Sequence, residues 1–365
     1  MSPSLYDTSA DYGLGYRGLE LYMTDHNETV ESEDTKTEEY WKEFVAEQEE
    51  EIKEFRECQQ GTSSELRMEI SEAIINQHDE VVIDVSPDVA DDRIIRRYLS
   101  IPQFLSVMEG EHLWFNSALN FDDGFEGSLP KTNAKERELT AKFKEKTIKR
   151  KFGEGEAEKI SSIDGIARED EIHIGHCLVN CWRMGGDPDQ YTESALFWNA
   201  YVPDGEGVAI ESTVGQLKRQ LMGRGNFFKD IRNSSVVPGF YPGVYAGSVR
   251  YIDYHDDWGL TLLPIRLFYK RDKFSEEQEF RAVVDKFERR YLQKLEGGGS
   301  EDFEYNLPSG DYVDIDRREL INKIIVAPDA PSHLYDNIEK LTQRYDEFDA
   351  SDVKPSMLDR EDPTY

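Results

Sequence analysis

Glu277, Glu279 and Arg281 alternate along the segment from Lys273 to Val284. Because successive side chains of a strand point to opposite faces, these three charged groups would project from one face of an extended backbone. Paired carboxylates at the start of an apolar strand can carry general acid–base chemistry or stabilise a cationic transition state. On this pattern alone, the alternative is a solvated strand face on which Arg281 neutralises its neighbours.

A second group of acids consists of Asp122, Asp123 and Glu126, on a predicted loop with two asparagines and two glycines. It is the next candidate for a carboxylate pair. Loops of this composition are also typical of ordinary turn chemistry.

His173, His176, Cys177 and Cys181 lie close together in the sequence and are of types that can bind a metal. We interpret residues 172–183 as a strand, which would place His173, Cys177 and Cys181 on one face. Three ligands from one strand do not readily close a tetrahedron, so we expect no metal site and assign the cysteines to the core. For nucleophilic catalysis, nothing in the pattern supports a pair such as Cys177 with His255.

The composition limits the class of protein. The chain has 365 residues, 38% of them hydrophobic, and its formal net charge is −32, from 75 acidic and 43 basic residues. Such a surface repels nucleic acids and anionic membranes at long range. The even spread of acids favours a salt-adapted (halophilic) protein over a merely acidic one. Three cysteines, no signal peptide and no long apolar run predict a cytoplasmic protein.

The chain divides by composition into four parts. Residues 1–34 are predicted to be an acidic, partly disordered arm, and residues 35–80 an N-terminal helical pair in which two capping boxes open runs of helical spacing. Residues 81–348 are predicted to form the main domain, and residues 349–365 an acidic disordered tail. Helices and strands alternate without regular βαβ spacing, which predicts an α+β fold with a mixed, largely antiparallel sheet and flanking helices.

Within the main domain, Ser100 is predicted to cap a short helix, and a closing helix is predicted over 332–345. Residues 131–151 form a locally basic helical stretch that would suit an anionic substrate or a nucleic acid; the alternative is a solvated helix with internal ion pairs. Besides 172–183, strands are predicted at 93–99, 113–115, 208–210, 249–252, 280–284 and 321–326.

Short motifs occur in a fixed order over residues 93–345. They are Arg96-Arg97-Tyr98, Leu113-Trp114-Phe115, the loop from Phe121 to Gly127, Asn180-Cys181-Trp182, Trp198-Asn199-Ala200-Tyr201, Gly207-Val208-Ala209-Ile210, and Lys273 with Glu277-Gln278-Glu279-Phe280-Arg281. In this order the chain resembles the family catalogued as domain of unknown function 2971, as a haloarchaeal-like member. Asp122 and Gly124 depart from the asparagine and proline of that family's loop.

The layout of that family in turn resembles the ADP-ribosyltransferase fold, which implies residues that bind NAD. By this resemblance, Arg97 would clamp the pyrophosphate or ribose of NAD, and an Arg fork suits phosphate oxygens. Ser117 and Tyr98 would line the nicotinamide side. Trp198, of the Trp-x-x-Tyr motif, is also predicted to bind the cofactor.

The same resemblance assigns different roles to the two glutamates. Glu279 would bond to the nicotinamide ribose and stabilise the developing oxocarbenium ion, and Glu277 would orient the acceptor. The function that this implies is an ADP-ribosyltransferase-like or NAD-cleaving enzyme, such as a defence or toxin effector, that uses NAD as substrate, no metal, and a macromolecular acceptor.

Two other functions remain open. In the first, the chain is a non-enzymatic interaction module in which Trp114, Trp198, Phe121 and the two glutamates form a protein-binding surface. In the second, it is an enzyme directed to nucleic acid through residues 131–151, against which the net charge argues.

Overall fold

The computed structural model describes most of the predicted main domain. The described residues are 82–135, 137–138, 142, 163–185, 193–223, 243–257, 259, 263–286 and 307–358. The predicted arm, the predicted helical pair, most of the basic stretch and residues 359–365 lie outside this part of the chain.

Helices and strands alternate irregularly along the described residues. The strands are β1 (Val82–Asp84), β2 (Ile94–Ser100), β3 (His112–Ser117), β4 (Cys177–Met184), β5 (Gly207–Thr213), β6 (Val244–Ser248), β7 (Arg250–Ile252), β8 (Tyr269–Arg271), β9 (Glu279–Asp285), β10 (Gly310–Asp314), β11 (Lys323–Val326) and β12 (Val353–Pro355). The α-helices are α1 (Ile101–Gly110), α2 (Ile163–His176), α3 (Ala195–Tyr201), α4 (Val214–Gly223), α5 (Leu263–Arg266), α6 (Arg317–Leu320) and α7 (Ser332–Thr342).

Ten of these strands form one sheet in the order β1-β6-β9-β4-β2-β5-β11-β12, with β3 and β10 branching from β4. The pairs β1–β6 and β11–β12 are parallel and the other pairs of this sheet are antiparallel. β7 and β8 form a separate parallel pair. The predicted α+β fold with a mixed, largely antiparallel sheet and flanking helices is therefore confirmed.

Both faces of the sheet carry apolar clusters. Helices α1, α4 and α7 pack on one face, against the larger cluster, which includes Phe280 of β9. Val283 of the same strand belongs to a cluster on the opposite face. Because side chains alternate along a strand, Glu279 and Arg281 share the face of Val283.

One edge of β4 has two different strand partners. Near the end of β4, Arg183 pairs with Arg96 of β2, and near its start Val179 pairs with Asn116 of β3. In the described part of the sheet, no strand pairs with β4 between these two ladders on that edge. The sheet therefore forks there, and the fork lies beside Cys181.

Helix α1 forms as its sequence predicts. The backbone N–H of Ser100 donates to Oε1 of Gln103 at 2.9 Å, which is half of a capping box. Pro102 in the first turn removes no bond, since the first N–H groups of a helix have no partner within it. Phe104 and Met108, one turn apart, are buried.

The predicted strand over 172–183 is wrong in its first part. Helix α2 continues to His176, and β4 starts only at Cys177. The alternation of apolar residues led to a strand assignment there because a short apolar run fits the last turn of a helix equally well. His173 therefore lies on a helix, and Cys177 and Cys181 on the strand that follows.

The predicted disordered tail is also wrong for residues 349–358. After α7, the chain forms β12, which pairs with β11. The buried carboxylate of Glu193 holds the segment after β12: it accepts the Oγ hydroxyl of Ser356 at 2.5 Å and the backbone N–H of Met357 at 3.0 Å. It also accepts a hydrogen bond from Nε1 of Trp198 at 3.1 Å.

Replacing Glu193 with alanine is expected to release this segment. Hydrogen bonds to a charged acceptor contribute about 1.5–3 kcal/mol each, so we expect the free energy of unfolding to fall by about 3 kcal/mol. Denaturant titration measures this loss, and limited proteolysis detects cleavage after β12. Glu206→Ala, at an exposed site, is the control. Equal stability of the two variants would contradict the role of Glu193.

None of the described helices is long and apolar enough to cross a bilayer.

Candidate functional site

The glutamate pair lies where a 3-10 helix passes into β9. The 3-10 helix spans Asp272–Glu277, and β9 begins at Glu279. Gln278 between them has a left-handed backbone, with φ of 45°. Glu277 and Glu279 therefore do not lie on one extended strand as predicted, yet their carboxylates still meet at a common partner.

That partner is Lys270 of β8. Its Nζ lies 2.5 Å from Oε2 of Glu277, 3.6 Å from Oε2 of Glu279 and 3.5 Å from Oε1 of Glu126. Burial acts to lower the pKa of Lys270, but attraction to the three carboxylates outweighs it and raises the pKa. One ammonium thus holds three carboxylates together.

Arg281 is the second cation of this cluster and is fully buried. Its Nη2 lies 2.6 Å from Oε2 of Glu279 and also donates to Oε2 of Glu126. Nη1 donates to the carbonyl of Leu267 at 2.5 Å, and the guanidinium covers the ring of Phe121 at 4.9 Å. Burial acts to lower the pKa of Arg281, and the carboxylates raise it.

We call Glu126, Lys270, Glu277, Glu279 and Arg281 the carboxylate cluster. Three acids against two bases leave it with one net negative charge when all five are ionised. Such a site favours a cationic ligand or a cationic transition state over an anionic one.

The two glutamates differ in exposure and in pKa. The side chain of Glu277 is 26% exposed and that of Glu279 only 9%. Burial raises the pKa of Glu277 in spite of its bond to Lys270. Burial also acts to raise the pKa of Glu279, but Arg281 and Lys270 outweigh it and lower the pKa. Glu279 is therefore the stronger acid of the two.

Three further side chains surround Glu279. The backbone N–H of Glu279 donates to the hydroxyl of Tyr251 at 2.9 Å, and the thiol of Cys181 donates to its carboxylate. Burial is the largest cause that raises the pKa of Tyr251 and of Cys181, and the charge of Glu279 raises both further, whereas the hydrogen bond from the backbone of Glu279 acts on Tyr251 in the opposite direction. These groups are therefore neutral hydrogen-bonding partners. Tyr201 is 52% exposed and forms the open side of the group.

Arg97 lies in the fork of the sheet. Its Nη1 donates to the carbonyl of Cys181 at 3.1 Å and its Nη2 to the carbonyl of Trp114 at 3.4 Å. Arg97 thereby bridges the two diverging strands, β3 and β4. Burial lowers its pKa, and the neighbouring Cys181 and Tyr201 act in the opposite direction. Since Cys181 also contacts Glu279, the structure brings Arg97 to the same neighbourhood as the carboxylate cluster.

Of the other predicted NAD-binding residues, Tyr98 stacks on Tyr201 with ring centroids 6.3 Å apart. Ser117 is buried at the end of β3, where its hydroxyl accepts the backbone N–H of Leu119 at 3.4 Å. Tyr98 is buried, and Trp198 of α3 packs edge-on against it with ring centroids 4.8 Å apart. These three side chains have structural contacts, and their contact with NAD stays a prediction.

The predicted acidic loop contributes one member to the cluster. Glu126 contacts both Lys270 and Arg281, as described above. Asp123 instead pairs with Arg271, whose Nη2 lies 2.7 Å from Oδ1, and Asp122 is exposed.

Lys270 and Tyr251 were missed by reasoning from the sequence. Both lie on the short strands β7 and β8, which pair with each other and not with the main sheet. The one available signal was Lys270 itself, a charged residue that directly follows the apolar run Leu267-Phe268-Tyr269. A lysine in such a place needs a buried acid as partner.

The described part of the basic stretch forms ion pairs. Nζ of Lys142 lies 2.5 Å from Oε1 of Glu138, one turn earlier, and Nη1 of Arg137 lies 2.5 Å from Oδ2 of Asp170. The pair of Lys142 with Glu138 matches the solvated-helix alternative, whereas Arg137 pairs with a residue of α2, outside the stretch. The remainder of residues 131–151 lies outside the described residues.

Comparison with models of protein families found no match, and neither did comparison with curated proteins or with solved structures.

Proposed function

We propose that the carboxylate cluster cleaves the glycosidic bond between nicotinamide and ribose in NAD, and transfers ADP-ribose to an acceptor or to water. The observation that carries the proposal is the placement of two acids on Lys270: Glu279 is buried against Arg281, whereas Glu277 is 26% exposed. Burial raises the pKa of Glu277, and the two cations lower that of Glu279. Pairs of acids that their surroundings push apart in this way are typical of acid–base sites.

In this proposal, Glu279 stabilises the charge that forms at the reacting carbon. When the C–N bond breaks, nicotinamide leaves with the bonding electrons as a neutral ring, and positive charge develops on the ribose. A fixed carboxylate lowers that barrier by electrostatic preorganisation. The buried contacts of Glu279 with Arg281 and Cys181 keep it ionised and in one position.

Glu277 receives the proton of the acceptor. As a water or side-chain oxygen attacks the cationic carbon, its O–H bond breaks and the proton passes to the carboxylate of Glu277. Glu277 is the more exposed of the two acids, so an acceptor reaches it first.

Arg97 and Tyr201 bind the rest of the substrate. Two hydrogen bonds to carbonyls use two of the five N–H donors of Arg97. A desolvated guanidinium gains from an anionic partner, and the pyrophosphate of NAD supplies one. The ring of Tyr201 stacks with Phe197 at 6.0 Å and offers an aromatic face for a planar group.

The test is nicotinamide release from labelled NAD by the full chain, in about 1 M KCl to screen the net charge. We expect turnover to rise with pH through the raised pKa of Glu277, since the base must be ionised. Glu277→Gln is expected to abolish this pH limb and to reduce kcat about 100-fold.

Glu276→Gln is the matched control, because Glu276 is exposed and directly precedes Glu277. It should retain both the rate and the pH limb of the wild type. A water acceptor is always present, and adding a small alcohol as a second acceptor covers transfer to a hydroxyl group. If the wild type released no nicotinamide in either arm, the proposal would be refuted.

A further inference from the structure

We propose that His173, Cys177 and Asp285 bind a zinc ion. One ligand atom from each of them lies within 4.8 Å of the other two. The three residue types, an imidazole, a thiol and a carboxylate, are the donors that zinc prefers in proteins.

Three elements bring these ligands together. His173 lies in the last turn of α2, and Cys177 is the first residue of β4, one helical turn further on. Asp285 is the last residue of β9 and pairs directly with Cys177 across the two strands. His173 and Cys177 are close in the sequence, but Asp285 is more than 100 residues away and joins them only through the fold.

The distances are close to those of a metal site. Nε2 of His173 lies 2.8 Å from Oδ2 of Asp285. Zinc binds such ligands at about 2.0–2.3 Å in a tetrahedron, so two ligand atoms on one ion are about 3.5 Å apart. For an ion to enter, the distance between the imidazole and the carboxylate would have to increase by less than ~1 Å, and the thiol would have to move towards both of them.

Charge favours the same conclusion. A thiolate and a carboxylate together neutralise a divalent ion. Zinc binds cysteine as the thiolate, so entry of the ion would displace the thiol proton. Three protein ligands leave the fourth position for a water molecule or a further side chain.

The zinc site is separate from the carboxylate cluster. Glu279 begins β9 and Asp285 ends it, so the two sites are about 20 Å apart along the strand. The ion would fasten α2 to β4 and β9, and this role does not depend on the proposed NAD chemistry.

Cobalt substitution tests the proposal. The reduced, metal-free full chain is titrated with Co²⁺ in about 1 M KCl, which suppresses loose binding to surface acids. The expected result is one equivalent bound, with a thiolate-to-cobalt absorption band that Zn²⁺ abolishes. Zinc should also raise the Tm of the wild type.

The chain's three cysteines provide the controls. Cys177→Ser should lose the band, and Cys58→Ser and Cys181→Ser should retain it. His173→Gln should weaken cobalt binding by about 100-fold while keeping the far-UV circular dichroism of the wild type. The absence of the band in the wild type, or its survival in Cys177→Ser, would overturn the proposal.

Discussion

Replacing Glu279 with glutamine is expected to lower kcat for nicotinamide release by about 1000-fold, with little change in KM for NAD. Glutamine keeps the shape of the side chain and its bond to Arg281 but removes the negative charge. The charge matters only when the ribose becomes cationic, so the loss falls on the transition state and not on binding. Single-turnover kinetics with labelled NAD measures it.

A merely structural role of Glu279 would give a different result. The values of kcat and KM would then change together. The split between kcat and KM separates the two cases, and Arg97→Lys provides a contrast. Since lysine cannot reproduce the planar fork of arginine, Arg97→Lys should raise KM for NAD by about tenfold and leave kcat nearly unchanged. Equal nicotinamide release by Glu279→Gln and the wild type would remove Glu279 from the mechanism.

The elements that the sequence predicted correctly are those with a local signal. Helix α1 has its capping residue Ser100 and buried residues one turn apart, and β5 and β9 are short apolar runs that follow turns. The mixed sheet follows from the irregular order of such elements. In each case, residues close in the sequence determine the type of element.

The carboxylate cluster lacks such a signal because its members meet through tertiary contacts. Glu126 and Arg281 are 155 residues apart, and no local sequence pattern around either residue indicates that they are in contact. Gln278 takes a left-handed backbone that is uncommon for a non-glycine residue, so alternation placed Glu277 on the strand incorrectly. β12 was missed because its pairing with β11 and the bonds to Glu193 stabilise a sequence that is otherwise acidic and polar.

Replacing Arg281 is expected to have a large effect on stability. Arg281→Met leaves the carboxylates of Glu126 and Glu279 buried without their arginine partner. Breaking a buried ion pair by removing one partner costs about 3–5 kcal/mol, and we expect this loss in the free energy of unfolding at neutral pH. The control is Lys142→Met, because both side chains of its pair with Glu138 are about half exposed, and it should leave the free energy of unfolding nearly unchanged.

The loss in Arg281→Met should depend on pH in a defined direction. In the wild type the pKa of Glu279 is lowered, so the stability it contributes is present above the ordinary glutamate pKa of about 4.3 and is lost as pH falls through the folded-state value. Without Arg281, burial should raise this pKa, and protonation should stabilise the folded variant. The difference in the free energy of unfolding between the two proteins should therefore narrow on acidification.

Adding Glu126→Gln and Glu279→Gln to Arg281→Met should recover most of the loss at neutral pH, because no buried carboxylate then lacks its partner. If the triple variant were as unstable as Arg281→Met alone, lost packing around Phe121, and not unpaired charge, would be the cause.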